Sequence, residues 1–208
     1  MTDKEKMLKG MIYDSSNEVL ATERNRAHRL CAQFNKIEDD GDPQKRQIID
    51  LLIPDNGGVY LQGPIFFDYG WNTTFGHRCY ANYNLCVLDV CLVTIGDDVM
   101  MGCNVSLMTP IHPLLFEERK QYVNAHGRLT DREYAKPIVI EAGCWIASNV
   151  VICGGVTIGS ESVIGAGSVV TKDIPRGVFA AGNPCRVIRK ITARDSIYLK
   201  KDLFQKRR

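Results

Sequence analysis

The sequence predicts an all-β-dominated protein built on a parallel β-helix, with a helical segment before the coils and a capping helix after them. Three observations carry this prediction. Ile140, Ile146, Ile152, Ile158, Ile164 and Val170 recur at strict six-residue steps. Four residues after each stand Cys144, Val150, Val156, Ser162, Ser168 and Ile174, mostly small or β-branched. The first fifty residues lack this period and show apolar residues at three- and four-residue steps instead. A helix of 3.6 residues per turn cannot hold a six-residue register on one face, and an amphipathic strand alternates by two. A strict period of six calls for a coil with a corner at every repeat. Three hexapeptides then make one triangular turn of about eighteen residues, and stacked turns place the aliphatic positions in an interior ladder about 4.8 Å apart.

The N-terminal segment, residues 1–56, reads as three helices. Lys4 to Lys9 is short and charged, and Thr22 to Lys36 carries Ala27, Leu30, Cys31 and Phe34 on one face, with Thr22 as its expected cap. After a polar break from Glu38 to Pro43, Gln44 to Leu52 forms a third helix ended by Pro54 and Gly57-Gly58. This segment is too short to bury a core alone, so it packs against the coils. The coils occupy 57–190 and begin near Val59. Ile95, Met101 and Leu107 keep the later register, and Ile65, Phe75 and Val87 keep it loosely. Between the two good runs, 111–137 break the period with His, Pro and many charges, and an extruded loop of this length inside a compact repeat is usually functional or disordered. After Val170 come a turn over Lys172 to Gly177, a last short strand, and a C-terminal helix from about Thr192 to Gln205. Residues 191–208 are thus a helix and basic tail that cover the open end of the stack, as terminal repeats require.

Composition narrows the class. A net charge of +2, from 26 basic and 24 acidic residues, gives no general affinity for nucleic acid or an anionic membrane. The charged start Thr2-Asp3-Lys4-Glu5-Lys6 is no signal peptide, and no stretch approaches the roughly 18 apolar residues of a membrane span, so a cytoplasmic protein is expected. Eight cysteines form no CxxC pair and sit among apolar or small residues, which reads as free buried thiols in a reducing compartment.

Together with the hexapeptides, the run Trp145-Ile146-Ala147-Ser148 and the closing Ala180-Ala181-Gly182-Asn183-Pro184-Cys185-Arg186-Val187-Ile188-Arg189 carry a resemblance. The sequence resembles the maltose and galactoside O-acetyltransferases of the hexapeptide-repeat acyltransferase superfamily. The likeness runs from Gly10-Met11-Ile12-Tyr13-Asp14 to Arg189, and the N-terminal segment with Tyr13-Asp14 is what narrows it beyond the superfamily. It implies a left-handed helix, against the usual right-handed preference of parallel crossovers. It also implies a homotrimer with active sites between subunits, acetyl-CoA as co-substrate, a sugar hydroxyl as acceptor, and no metal.

Moving an acetyl group from a thioester to an alcohol requires a base that titrates near neutrality beside the attacking hydroxyl. His112, in Thr109-Pro110-Ile111-His112-Pro113, matches the family's catalytic histidine-proline step. His28 reads as a surface or packing residue, His77 as a corner residue and His126 as part of the polar loop. The resemblance assigns the oxyanion donor to a backbone N–H near Ser148. Trp145 either lines the pantetheine arm or fills a gap between subunits. Asn82 matches an asparagine facing the reacting centre, counted with both acceptor and cofactor contacts, or else belongs to an asparagine ladder in the coil. Ala166, Thr171, Lys172, Arg186 and Arg189 match cofactor positions, the small residue giving close approach and the cations serving phosphates.

For the acceptor, Asp14 and Arg24 match sugar contacts, joined by Asp68 and Asp89. Phe67-Asp68-Tyr69 has Asp where the galactoside enzymes have serine, and Leu88-Asp89-Val90-Cys91 has Val where they have a second aspartate, both closer to the maltose enzymes. The charged loop from Phe116 to Lys136 is longer than usual and leaves the acceptor open. Three alternatives stand beside this reading. One is acetylation of an amine, against which Asp14 discriminates. Another is a zinc β-helix carbonic anhydrase, for which His77 and His112 lack a third histidine because Glu117 stands where it is wanted. The last is a non-catalytic scaffold, which needs neither the histidine nor the cations.

Overall fold

The computed structural model describes residues 1–204 and is a three-sided stack of parallel strands. The first face stacks Tyr60–Leu61, Tyr80–Ala81, Met100–Met101, Trp145–Ile146, Val163–Ile164 and Val178–Ala181, with Arg186–Lys190 added antiparallel at the end. The second stacks Ile65–Phe67, Leu85–Leu88, Ser106–Met108, Val151–Cys153 and Val169–Val170. The third stacks Thr73–Phe75, Val93–Ile95, Ile138–Ile140 and Thr157–Ile158. Every member of the six-residue run from Ile140 to Val170 points inward with no exposure.

Coil length explains why the early repeat reads loosely. Trp145 pairs with Val163 and Val151 with Val169, eighteen residues on, whereas Tyr60 pairs with Tyr80 and Thr73 with Val93, twenty residues on. The inward ladder of the early coils is Leu61, Phe67, Phe75, Ala81, Val87, Ile95, Met101 and Leu107, each no more than 4% exposed. Its steps are six, six and eight. The two extra residues fall after Phe67 and again after Val87, at the corner joining the second face to the third. On the following coil the segment 111–137 leaves from this same corner. At a different corner the backbone turns through the left-handed region at Asn84, Asn104 and Asn149, with φ of 62°, 58° and 59°. Their side-chain amides form a ladder, Asn84 to Asn104 at 2.9 Å and Asn104 to Asn149 at 3.0 Å. Asparagine suits both requirements, since it tolerates positive φ and both donates and accepts.

The N-terminal helices are α1 (Asp3–Leu8), α2 (Glu18–Asn35) and α3 (Pro43–Leu52). Helix α2 begins a turn earlier than expected because the side chain of Asn17, not Thr22, accepts the Val19 N–H at 3.0 Å; Thr22 lies exposed within the helix. Asp42 caps α3 through the Gln44 N–H at 2.8 Å, with Pro43 at the first helical position. Ala27, Cys31, Phe34, Ile48, Ile49 and Leu52 join the coil interior in one continuous core. The large side chains among them, Phe34, Ile48, Ile49 and Leu52, each contribute about 1.5–3 kcal/mol when fully buried, and truncating Phe34 to Ala is expected to cost about 3–5 kcal/mol.

The expected C-terminal helix is corrected. Three 3-10 turns, Ala193–Asp195, Ile197–Leu199 and Lys201–Leu203, take its place, and Gln205 lies outside the described residues. Short helices draw their stability from a buried face, and here Ile197, Tyr198, Leu199, Leu203 and Phe204 are all exposed.

The extruded segment is structured. Pro110–Ile111 pairs antiparallel with Tyr134–Ala135, and between them lie α4 (Phe116–Arg119) and a hairpin of Tyr122–Val123 with Leu129–Thr130. The hairpin is fastened to the N-terminal arm. Asp14 accepts from Asn124 at 2.6 Å and from Thr130 at 2.8 Å, Arg128 donates to the Ser16 carbonyl at 3.0 Å and pairs with Glu18, and Tyr13 bridges to Glu133. All eight cysteines are free thiols.

Candidate active site

The enlarged corner holds a cavity of about 380 Å³ lined by Tyr13, Ser15, Arg24, His28, Asp68, Leu88, Val90, Pro110, His112, Asp131 and Glu133. His112 stands at its edge because the paired strands Pro110–Ile111 and Tyr134–Ala135 fix both ends of the extruded segment there. Its Nδ1 lies 3.2 Å from the Arg132 carbonyl, which can only accept, so Nδ1 carries the proton and Nε2 keeps its lone pair. Nε2 lies 3.5 Å from Oε2 of Glu133. Oε1 of Glu133 accepts from the Tyr13 hydroxyl. Burial pushes the Glu133 carboxyl upward, opposed by the Tyr13 hydrogen bond and, when His112 is protonated, by its charge. Burial also raises the Tyr13 phenol, with the charge of Glu133 adding to it, so Tyr13 stays a donor.

Arg24 and Asp68, the expected acceptor contacts, line the same cavity as His112. Arg24 donates to the Tyr69 hydroxyl at 3.2 Å. Asp14 stands differently from its expected role, because its oxygens are taken up within the protein. Besides Asn124 and Thr130, it accepts from the Ser16 N–H at 2.9 Å and the Ser16 hydroxyl at 2.7 Å. Burial would raise this carboxyl, but these hydrogen bonds together hold it below the ordinary range. Asp89 is corrected outright. It has no exposure, accepts from the Tyr69 N–H at 2.8 Å and the Thr73 hydroxyl at 3.0 Å, and burial pushes it up to about 6. A carboxylate closed in this way ties the eight-residue corners of successive coils together and does not meet an acceptor.

The cofactor positions lie on another edge of the triangle, between the first and second faces. Asn82, Gly102, Ala147 and Gly165 stack there on successive coils, following the register Ala81–Met101–Ile146–Ile164, and Ser148 and Ala166 come one residue further on. A Cβ at Gly102 would lie 2.6 Å from the Ser148 hydroxyl and 2.7 Å from its backbone nitrogen, so only glycine admits this approach. Asn82 is on this edge and not beside His112, with its side-chain Oδ1 accepting the Tyr83 N–H at 2.8 Å; the asparagine ladder runs through Asn84 instead. A groove of about 550 Å³ passes Gly102, Ser148, Gly165 and Ala166 and is walled by Trp145, Val163 and Phe179. It suits an apolar pantetheine arm. Thr171, Lys172, Arg186 and Arg189 are exposed, and Arg189 lines a hollow with Trp145, Val163 and Phe179, the residues that wall the groove. Arg189 is held by Asp195 through two contacts of 2.8 and 2.7 Å.

His77 lies at the corner between the third and first faces, away from His112, with Nδ1 3.3 Å from the Gly57 carbonyl; the pair does not share an edge as a zinc site would need. His126 sits in the turn of the hairpin. Glu133 carries no signal in the sequence motifs, since it reaches His112 only because the extruded segment folds back on itself. His28, expected to be a surface or packing residue, instead lines the cavity one helical turn after Arg24.

A hexapeptide coil with a histidine at an extruded loop and a small-residue groove edged by cations defines a hexapeptide-repeat acyltransferase. Residues 6–53 match the maltose acetyltransferase hexapeptide capping motif, and residues 137–172 match the bacterial transferase hexapeptide of six repeats. The chain is 41% identical over 199 residues to the galactoside O-acetyltransferase of Escherichia coli K12, covering 95% of this chain and 94% of the relative. The crystal structure of a maltose O-acetyltransferase from Clostridium difficile 630 superposes with a TM-score of 0.84 at 41% identity, covering 92% of this chain and 98% of that one. A galactoside acetyltransferase in complex with coenzyme A superposes with a TM-score of 0.86 at 40% identity, covering 94% of each chain. The chain belongs to the maltose and galactoside O-acetyltransferase family, and its coil is the left-handed parallel β-helix of that family.

Proposed function

We propose that this acetyl-CoA-dependent sugar O-acetyltransferase works by direct transfer, with His112 as general base. Nε2 takes the proton of a sugar hydroxyl as its oxygen attacks the thioester carbonyl. The new C–O bond forms, the carbonyl oxygen becomes an oxyanion beside the backbone N–H of Ser148, and collapse breaks the C–S bond. The coenzyme A thiolate leaves and takes the proton back from the imidazolium. The contact between His112 Nδ1 and the Arg132 carbonyl is the observation that carries this reading, because it leaves Nε2 basic at the cavity. Glu133 steadies the imidazolium that forms, and Arg24 and Asp68 hold the acceptor. A covalent acyl-enzyme has little support in the thiols, since burial raises Cys31, Cys79, Cys86, Cys91, Cys144, Cys153 and Cys185 away from the thiolate form.

Within one chain, His112 and the Ser148 groove lie on different edges of the prism. A homotrimer, in which the His112 edge of one subunit meets the Ser148 edge of the next, completes the site, and the resemblance supports it. The free thiols suit the reducing conditions of a cytoplasmic enzyme. Among the described residues no helix is long and apolar enough to cross a membrane. Asp68 favours a maltose- or glucose-like acceptor. The test is a panel of mono- and disaccharides with acetyl-CoA, followed by free thiol release. His112→Ala is expected to lower kcat by about 10²–10⁴-fold on every accepted sugar. Retention of most of the activity would overturn the mechanism.

A further inference from the structure

We propose that His28 sets acceptor specificity by fixing Asp68 at the junction of two cavities; this rests on the reading of Asp68 as an acceptor contact. The acceptor cavity of about 380 Å³ is not the only space at this corner. A second, of about 340 Å³, lies between α2 and the second face and is floored by Cys31, Ala32, Phe66 and Phe67. His28, Asp68 and Leu88 line both. These three side chains therefore form the partition between a polar cavity that holds His112 and an apolar one that does not. Nε2 of His28 lies 3.1 Å from Oδ1 of Asp68, and the carboxylate is only 18% exposed while the imidazole is 52% exposed.

This geometry gives His28 two effects. Its N–H holds one oxygen of Asp68, which leaves the other for an acceptor hydroxyl and fixes the direction from which that hydroxyl is received. Its ring also separates a bound sugar from the apolar space behind. Without the ring, Asp68 loses its partner and the two spaces merge, so an acceptor carrying an apolar group gains a place for it. His28 does not touch the reacting atoms; it acts through Asp68 as a positioning residue.

The experiment compares glucose or maltose with phenyl and octyl glucosides in the wild type, His28→Ala, His28→Gln and His28→Phe, measuring kcat and KM for each acceptor and KM for acetyl-CoA. Losing a hydrogen bond to a charged group is expected to raise the free-sugar KM of His28→Ala roughly tenfold, with kcat and the acetyl-CoA KM within about twofold. The preference for the apolar glucosides over the free sugar should rise roughly tenfold in the same variant. His28→Gln, which still donates, should restore the free-sugar KM. His28→Phe, which fills the partition without donating, should raise that KM but leave the preference near wild type. An unchanged acceptor KM in His28→Ala, or an equal fall in kcat on all acceptors, overturns the proposal, and if His28→Ala fails to fold the Gln and Phe variants decide it alone. Absence of sugar turnover in the wild type would instead remove the reading on which it rests.

Discussion

Replacing Asp89 by Asn tests whether this carboxylate is a structural tie or a substrate ligand. The side chain has no exposure, and burial raises its pKa from an ordinary 3.8 to about 6. For an acid raised in the folded state, the native protein binds the proton more tightly than the unfolded chain. Its contribution to stability is therefore greatest at low pH and is lost as pH rises from 3.8 through about 6. A shift of about two units corresponds to about 3 kcal/mol, so above pH 7 the charged form costs the fold up to that amount. Asparagine keeps an oxygen for the Tyr69 N–H, and the Thr73 hydroxyl can rotate to accept from the new amide. Asp89→Asn is therefore expected to raise unfolding stability at pH 8 by about 1–3 kcal/mol, and to flatten its pH dependence between about 4 and 6 relative to wild type. Urea unfolding at a series of pH values measures both. A variant less stable at every pH would refute the argument from burial. A well-folded variant whose sugar KM rose tenfold would show that Asp89 meets the acceptor after all.

Glu133→Gln keeps the Tyr13 partner but removes the charge beside His112, so kcat should fall about tenfold with little change in the KM for acetyl-CoA. Because burial raises Glu133, its protonation contributes a fall in kcat/KM at a pH above the ordinary carboxylate range, and that limb should disappear from the pH profile of the variant. Gly102→Ala places a Cβ 2.6 Å from the Ser148 hydroxyl, so kcat should fall about 10²-fold while circular dichroism shows the coil intact. Asp195→Asn releases Arg189 from an exposed ion pair, and coenzyme A should bind about two- to fivefold tighter by calorimetry, an effect that fades in high salt.

The later coils were legible because eighteen-residue turns repeat every six, so Ile140 to Val170 could be counted straight off the chain. The early coils were blurred by the eight-residue corner after Phe67 and Val87, which breaks the count although the ladder continues. His112 was legible through its local motif. What holds it was not, since Arg132 and Glu133 come from the far end of a segment that must first fold back, and Tyr13 from the opposite end of the chain. Asp89 shows the converse. Its position matched a family contact, but a motif carries no information about burial, and burial decides whether a carboxylate serves a ligand or a fold. The C-terminal stretch, expected as a helix, leaves Ile197, Tyr198, Leu199, Leu203 and Phe204 exposed, and the sequence alone does not reveal that they lack a buried face.

The uneven coil has a consequence for how such a protein can vary. Adding residues at one corner leaves the inward ladder and the hydrogen bonds of all three faces in register, because each turn re-enters its face at the same height. The corner after the second face absorbs two extra residues on each of two turns and a whole hairpin on the next. Length can therefore be gained or lost there at little cost to the scaffold, and the cavity proposed to receive the acceptor opens at that corner. The cofactor edge, built from closely stacked backbones at Gly102 and Ser148, has no such freedom. On the proposed assignment, one molecule thus keeps its donor edge fixed and its acceptor edge open to revision.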